Sequence, residues 1–337
     1  MEACRDGLRW HLIGRTPGRF DFSSAMSQIR ASRRTGMQVI WDVLHYGWPG
    51  WVDVFDADFP TQFGRFARAA ARVIASETPG PYWFCVVNEP SFLCWAGAQE
   101  GLFPPFVKGR GDDLKKQLIR ATVEGIEAIR DVVPGARFMQ VDPLIHIVPD
   151  FGAPDRLRDE AAGYREAQFQ CTDILVGRRF PEIGGNPKYL DVIGCNYYVH
   201  NQWVYKGGFM DRTDPRYRPL WRMLQEVWER YERPLVIAET GIEDERRPEW
   251  LTYIGNEVEI ALRTGIPVEG VCLYPVVNHP GWDDDRHCHN GLWDYCDADG
   301  HREIHSPMAS ELRIQQNRFR NVRGFSGRNR ESVQVYA

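Results

Sequence analysis

The chain has 337 residues, 43% hydrophobic and 26% charged, with a formal net charge of -5. This is an ordinary globular composition. It lacks the clustered basic surface that nucleic-acid binding needs, so no nucleic-acid partner is expected. Nor is there a run of about 18 apolar residues for a membrane span, or an apolar leader in the opening segment MEACRDGLRW. The eight cysteines are scattered without a CxxC pair, which suits a reduced, cytoplasmic protein.

Short apolar runs alternate with longer amphipathic stretches. In chain order, strands are predicted at Leu8–Ile13, Met37–His45, Tyr82–Val87, Arg137–Val141, Leu190–Tyr198, Pro234–Glu239 and Gly270–Val277. Each is near-continuously apolar, as strands covered on both faces are. Helices are predicted between them at Ser24–Thr35, Phe59–Ser76, Asp112–Val132, Pro219–Tyr231 and Pro248–Thr264, the first stopped by Gly36. Residues 145–165 and 199–218 read as long loops. The Arg-, Asn- and Ser-rich stretch 315–337 reads as a polar, flexible tail after a single domain over 1–314.

Strand–helix alternation predicts a parallel α/β fold. An open doubly wound sheet would carry a GxGxxG or P-loop signature, and none is present. Polar residues gather where the strands end: His45, Asn88-Glu89, Asn196-Tyr197-Tyr198, Glu239 and Asn278-His279. In a (β/α) barrel those ends converge on the active site, so a TIM barrel is the predicted architecture. Two carboxylates at equivalent strand ends, Glu89 and Glu239, suit glycoside hydrolysis. In its retaining form that reaction needs carboxyl groups about 5–5.5 Å apart.

The segments around these residues resemble, in order, those of glycoside hydrolase family 1, the β-glucosidase family within the clan A barrels. YWFCVVNEPSF is similar to the Asn-Glu-Pro motif of that family's fourth strand. PLVIAETGI is similar to its nucleophile motif on strand seven, LDVIGCNYY to D-F-I-G-x-N-Y-Y, and DVLHYGWPGW to L-x-H-W-D-L-P. YPVVNHPGW matches the length of W-S-L-x-D-N-F-E-W. The resemblance implies a retaining β-glycosidase acting on a small carbohydrate without metal or organic cofactor. It implies Glu239 as nucleophile and Glu89 as acid/base. Asn88 would grip the sugar 2-hydroxyl and His45 another hydroxyl. Arg9 would hold the nucleophile ionised, Tyr198 would hydrogen-bond it beside Asn196, and Tyr274 and Trp282 would line the sugar pocket.

The chain departs from the family at several positions. Tyr274 replaces a Trp, Gly281 a sugar-gripping Glu, and Thr240 the Asn after the nucleophile. The family's first strand has no counterpart in MEACRDG, leaving seven predicted strands. A catalytically impaired carbohydrate-binding remnant and an endo-acting clan A glycanase are therefore competing expectations. In DDDRHCHNGLWDYC the residues Asp283, Asp284, Asp285, His287, Cys288, His289 and Cys296 fit no standard zinc spacing, so the segment reads as a polar loop. Cys85 and Cys94 flank the acid/base motif and read as thiols without a catalytic role, His146 as either a pocket residue or a hydrogen-bonded strand-end histidine, Arg30–Arg34 as a solvated helix face, and Glu243 and Glu245 as surface acids.

Overall fold

The structure, a computed structural model, describes residues 3–282 and 284–326. A seven-stranded sheet comprises β1 (Ala3–Gly7), β2 (Gln38–Leu44), β3 (Trp83–Val87), β4 (Arg137–Pro143), β5 (Val192–Asn196), β6 (Leu235–Thr240) and β7 (Val268–Leu273), hydrogen-bonded in that order. The pairs β1–β2, β2–β3, β3–β4 and β6–β7 are parallel. Helices follow the strands: α1 (Met26–Thr35), α2 (Phe59–Glu77), α3 (Gly111–Arg130), α4 (Asp155–Glu166), α5 (Leu220–Tyr231), α6 (Arg247–Arg263) and α7 (Ser306–Ser326). Among the described residues no helix is long and apolar enough to cross a membrane.

The chain divides into two compact units. The first runs to Gly194 apart from residues 146–150, and the second holds those five residues and the described chain from Cys195. In the first unit α2 turns Phe59, Phe63 and Phe66 inward, and Trp10 stacks on Phe66 with centroids 5.2 Å apart. Burying one such aromatic ring stabilises the unit by roughly 1.5–3 kcal/mol. In the second unit Leu251, Leu273, Leu292, Met308, Ala309 and Leu312 form one apolar cluster.

The first strand departs from the expected span. Leu8–Ile13 is not a strand: Trp10–Ile13 is a short helix, and β1 lies upstream at Ala3–Gly7. Trp10 and Ile13, both buried, are three residues apart, a helical spacing that a run of apolar letters conceals. The expected loops also contain structure. Residues 145–165 hold the strand His146–Val148 and most of α4, and residues 199–218 hold the strand Gln202–Val204 that pairs with it.

The expected flexible tail is corrected in part. Residues 315–326 continue α7, and 327–337 lie outside the described residues. Met308, Leu312 and Gln315 are buried along one helix face. Gln315 interrupts that apolar stripe and masks its period, while its amide donates to Glu311 at 2.6 Å.

Candidate active site

In the first unit, polar side chains meet at the C-terminal ends of β1, β2 and β3. Arg5 on β1 donates to Asp42 Oδ2 at 2.8 Å and to Asn88 Oδ1 at 2.6 Å. His45 Nδ1 lies 3.0 Å from Asp42 Oδ2, and its Nε2 lies 3.4 Å from Asn88 Nδ2. Asn88, just past β3, is buried and its backbone N–H bonds Leu44 O at 2.9 Å. A buried amide held on two sides has one orientation available to it. Burial alone would push the Asp42 carboxyl up, but the Arg5 guanidinium and His45 hold it below the usual carboxylate range.

Glu89 follows Asn88 in the left-handed region, φ 44° and ψ 55°. A non-glycine residue there carries strain on the order of 1–3 kcal/mol, which the surrounding structure must offset. The backbone supplies much of that hold: Glu89 N–H donates to Val141 O at 3.0 Å, and Glu89 O accepts from Leu93 N–H at 2.9 Å. The Tyr46 hydroxyl donates to Glu89 Oε2. Tyr46 in turn packs near Phe92 and Phe103, with centroids 5.9 and 6.4 Å away.

A further carboxylate, Asp142 at the end of β4, lies behind Glu89. Its Oδ1 accepts from Ser91 N–H at 2.9 Å and its Oδ2 from Gln140 at 3.2 Å. This carboxyl is pushed up to about 7: burial raises it most, the Ser91 hydrogen bonds pull it down, and the charge of Glu89 pushes it up. An unfolded Asp titrates near 3.9, so between about pH 4 and 7 the native state holds a proton that the unfolded chain has lost. Stability from this group therefore falls as pH rises through that window. The span from about 3.9 to about 7 bounds the loss at ~4 kcal/mol. In urea titrations the stability of wild type relative to Asp142→Asn should fall by a few kcal/mol from about pH 4.5 to about pH 7.5. A pH-independent difference between the two proteins would contradict the buried carboxyl.

In the second unit, Glu239 lies next to the end of β6 and is half-buried. Its Oε2 accepts from the Tyr198 hydroxyl at 2.8 Å. The Tyr198 ring meets Tyr274 edge-on, with centroids 6.4 Å apart. Asn196 is fully buried beside Tyr197, and its carbonyl accepts from Asn201 at 3.1 Å. Thr240, the departure after Glu239, is buried and accepts from Trp250 Nε1 at 2.8 Å, which ties the strand end to α6. Gly241 comes next, where a Cβ would stand 2.0 Å from Tyr274 O. Only glycine lets the chain leave β6 against the end of β7 without displacing backbone.

Two expected residues are placed differently. Arg9 is exposed and precedes the short helix Trp10–Ile13, outside any strand. Arg5 is the β1 arginine, and its guanidinium reaches Asp42 and Asn88. Trp282 is 60% exposed on the turn after the strand His279–Pro280. A Cβ on Gly281 would fall 1.8 Å from Asp284 Oδ1, the end of an exposed side chain that would have to turn aside. Glu243 is paired with Arg286 at 2.6 Å, as a surface acid would be. Sequence reasoning missed Arg5, Asp42, Tyr46 and Asp142. Asp42 and Asp142 carried a usable signal, an acid inside or ending a buried apolar strand.

No family model matches the chain. A β-galactosidase of Sulfolobus acidocaldarius is 24% identical over 307 residues; the match takes in 74% of this chain and 60% of the relative, so the chain spans less than two thirds of it. A family 1 β-glucosidase from Thermotoga maritima superposes with a TM-score of 0.76 at 15% identity, covering 94% of this chain and 83% of that one. The same organism's β-glucosidase in complex with glucoimidazole gives 0.73 at 16% identity, with the same coverage. A hyperthermophilic β-glucosidase mutant gives 0.75 at 18% identity, covering 92% and 84%. The chain has the (β/α)-barrel fold of the family 1 β-glucosidases.

Proposed function

We propose that the protein is a retaining β-glycosidase that removes a terminal sugar from a β-glycoside. The carrying observation is that Glu89 and Glu239, next to the ends of β3 and β6, each accept a hydrogen bond from a tyrosine hydroxyl, Tyr46 and Tyr198. Glu239 attacks the anomeric carbon while Glu89 protonates the leaving oxygen. Glu89 then takes a proton from water, which displaces Glu239 with net retention. Asn88, oriented by Arg5 and His45, bonds the sugar 2-hydroxyl, and this contact strengthens as charge develops on the ring. His45 binds a neighbouring hydroxyl, and Asn196, Tyr198 and Tyr274 complete the sugar contacts. The aromatic group of Phe92, Trp95 and Phe103 near Glu89 suits an apolar or aromatic aglycone.

The sugars of the protein's relatives support a test panel of aryl β-glucosides and β-galactosides. Turnover is expected on at least one, and proton NMR of the first-formed hemiacetal should show the β anomer. An α anomer first would reject the double displacement. Sugar binding without turnover would favour a binding remnant, and cleavage of polysaccharide alone would favour an endo-glycanase.

A further inference from the structure

In the second unit, beyond β7, the chain forms short antiparallel pairs: His279–Pro280 with His287–Cys288, and Trp293–Cys296 with Arg302–Ile304. His287 and His289 are two residues apart in extended chain and project to the same side. Between them Cys288 is buried on the opposite face. Asp294 comes from the neighbouring strand, and its Oδ1 lies 3.4 Å from His287 Nε2. One ligand atom from each of His287, His289 and Asp294 lies within 4.8 Å of the others. The His287 and His289 rings stack with centroids 4.6 Å apart.

These distances can be compared with a coordination shell. Nitrogen and oxygen ligands about 2.0–2.1 Å from a tetrahedral zinc ion are about 3.3–3.4 Å from each other. The His287–Asp294 edge already has that length, and the exposed His289 closes the remaining ångström by side-chain rotation. The Asp294 carboxylate is held in place, its Oδ1 accepting from Asn278 Nδ2 at 2.8 Å and from Tyr295 N–H at 2.7 Å. Carboxylate ligands are commonly anchored in this way. Two imidazoles and a carboxylate suit borderline divalent ions, whereas Mg²⁺ and Ca²⁺ prefer all-oxygen shells.

We propose that His287, His289 and Asp294 form a binding site for a divalent transition-metal ion of the zinc class, with water completing the shell. The ion ties the His287–Cys288 strand to the Trp293–Cys296 strand. It revises the reading of this segment as a polar loop without metal, and it does not depend on the hydrolase chemistry.

The test is Zn²⁺ titration of chelator-treated protein against a chromogenic competitor, with a Co²⁺ spectrum in parallel. One ion per chain is expected, with affinity weakened at least tenfold in each of His287→Ala, His289→Ala and Asp294→Asn. Cys296 is the exposed thiol nearby, so Cys296→Ser should bind unchanged and Co²⁺ should give no thiolate charge-transfer band. Circular dichroism checks that each variant is folded. Binding that survives in both histidine variants, disappears in Cys296→Ser, or fails to occur in wild type overturns the proposal. The last result would leave His287 and Asp294 as a plain ion pair.

Discussion

Replacing Glu239 with glycine should lower kcat on an aryl β-glycoside by on the order of 10⁴-fold or more, and azide should restore part of the turnover. The reaction has two displacements at one carbon, and without the carboxylate the first has no nucleophile. Glycine leaves a space in which a small anion can reach the anomeric carbon from the same side. Azide then forms the new bond as the aryloxide leaves, and the product is the α-glycosyl azide, inverted once. KM should change little, because the contacts attributed to Asn88 and His45 are untouched. The fold should tolerate the change: Glu239 is half-buried, and Tyr198, which loses an acceptor, is also only half-buried and can turn to water. Wild-type activity in this variant, or azide rescue yielding the β-azide, would remove Glu239 from the nucleophile's role.

The sequence disclosed most about segments whose local pattern and tertiary role agree. β3 announces itself because every residue is apolar and buried, and the other strands from β2 to β7 do so through the apolar runs within them. α2 is legible for a similar reason, since its phenylalanines recur on one face and that face is the one buried. The failures occurred where a polar residue takes a buried place. β1 reads Ala-Cys-Arg-Asp-Gly, a poor strand by propensity, because its arginine is spent on Asp42 and Asn88 rather than on packing. α7 was hidden in the same way by Gln315.

The candidate site divides along similar lines. Asn88-Glu89 and Glu239 stood out because an acid after a run of Val and Phe or Ile and Ala needs explanation. The partners that orient them come from other strands, and no one-dimensional pattern reveals pairings such as Arg5 with Asn88, 83 residues apart. Tyr46 follows His45 directly, yet its hydroxyl is committed to Glu89, 43 residues away, and both residues adopt positive φ. The departures have local causes of the same kind. Thr240 is held by Trp250, and a side chain at Gly281 would first have to displace that of Asp284.

Replacing Glu89 with glutamine should give losses that depend on the leaving group. Glutamine keeps the shape and can still accept from Tyr46 through its carbonyl oxygen, so the left-handed backbone at 89 should persist. What it lacks is a proton to give. Poor leaving groups, such as an alkyl alcohol, need that proton, and kcat/KM should fall by about 10²–10⁴-fold. A dinitrophenolate leaves without help, so its kcat/KM should change little. Its kcat should still fall, because the glutamine cannot deprotonate the water of the second step. The glycosyl-enzyme then accumulates, giving a burst of dinitrophenolate and a lowered KM. Azide needs no general base, and by intercepting that intermediate it should accelerate turnover and yield the β-glycosyl azide. The two variants thus assign the two carboxylates by product stereochemistry, β from Glu89→Gln and α from Glu239→Gly. Equal losses for alkyl and dinitrophenyl glycosides would mean that Glu89 is not the acid. Asp142, whose carboxyl is pushed up to about 7, would then be the next carboxyl to test.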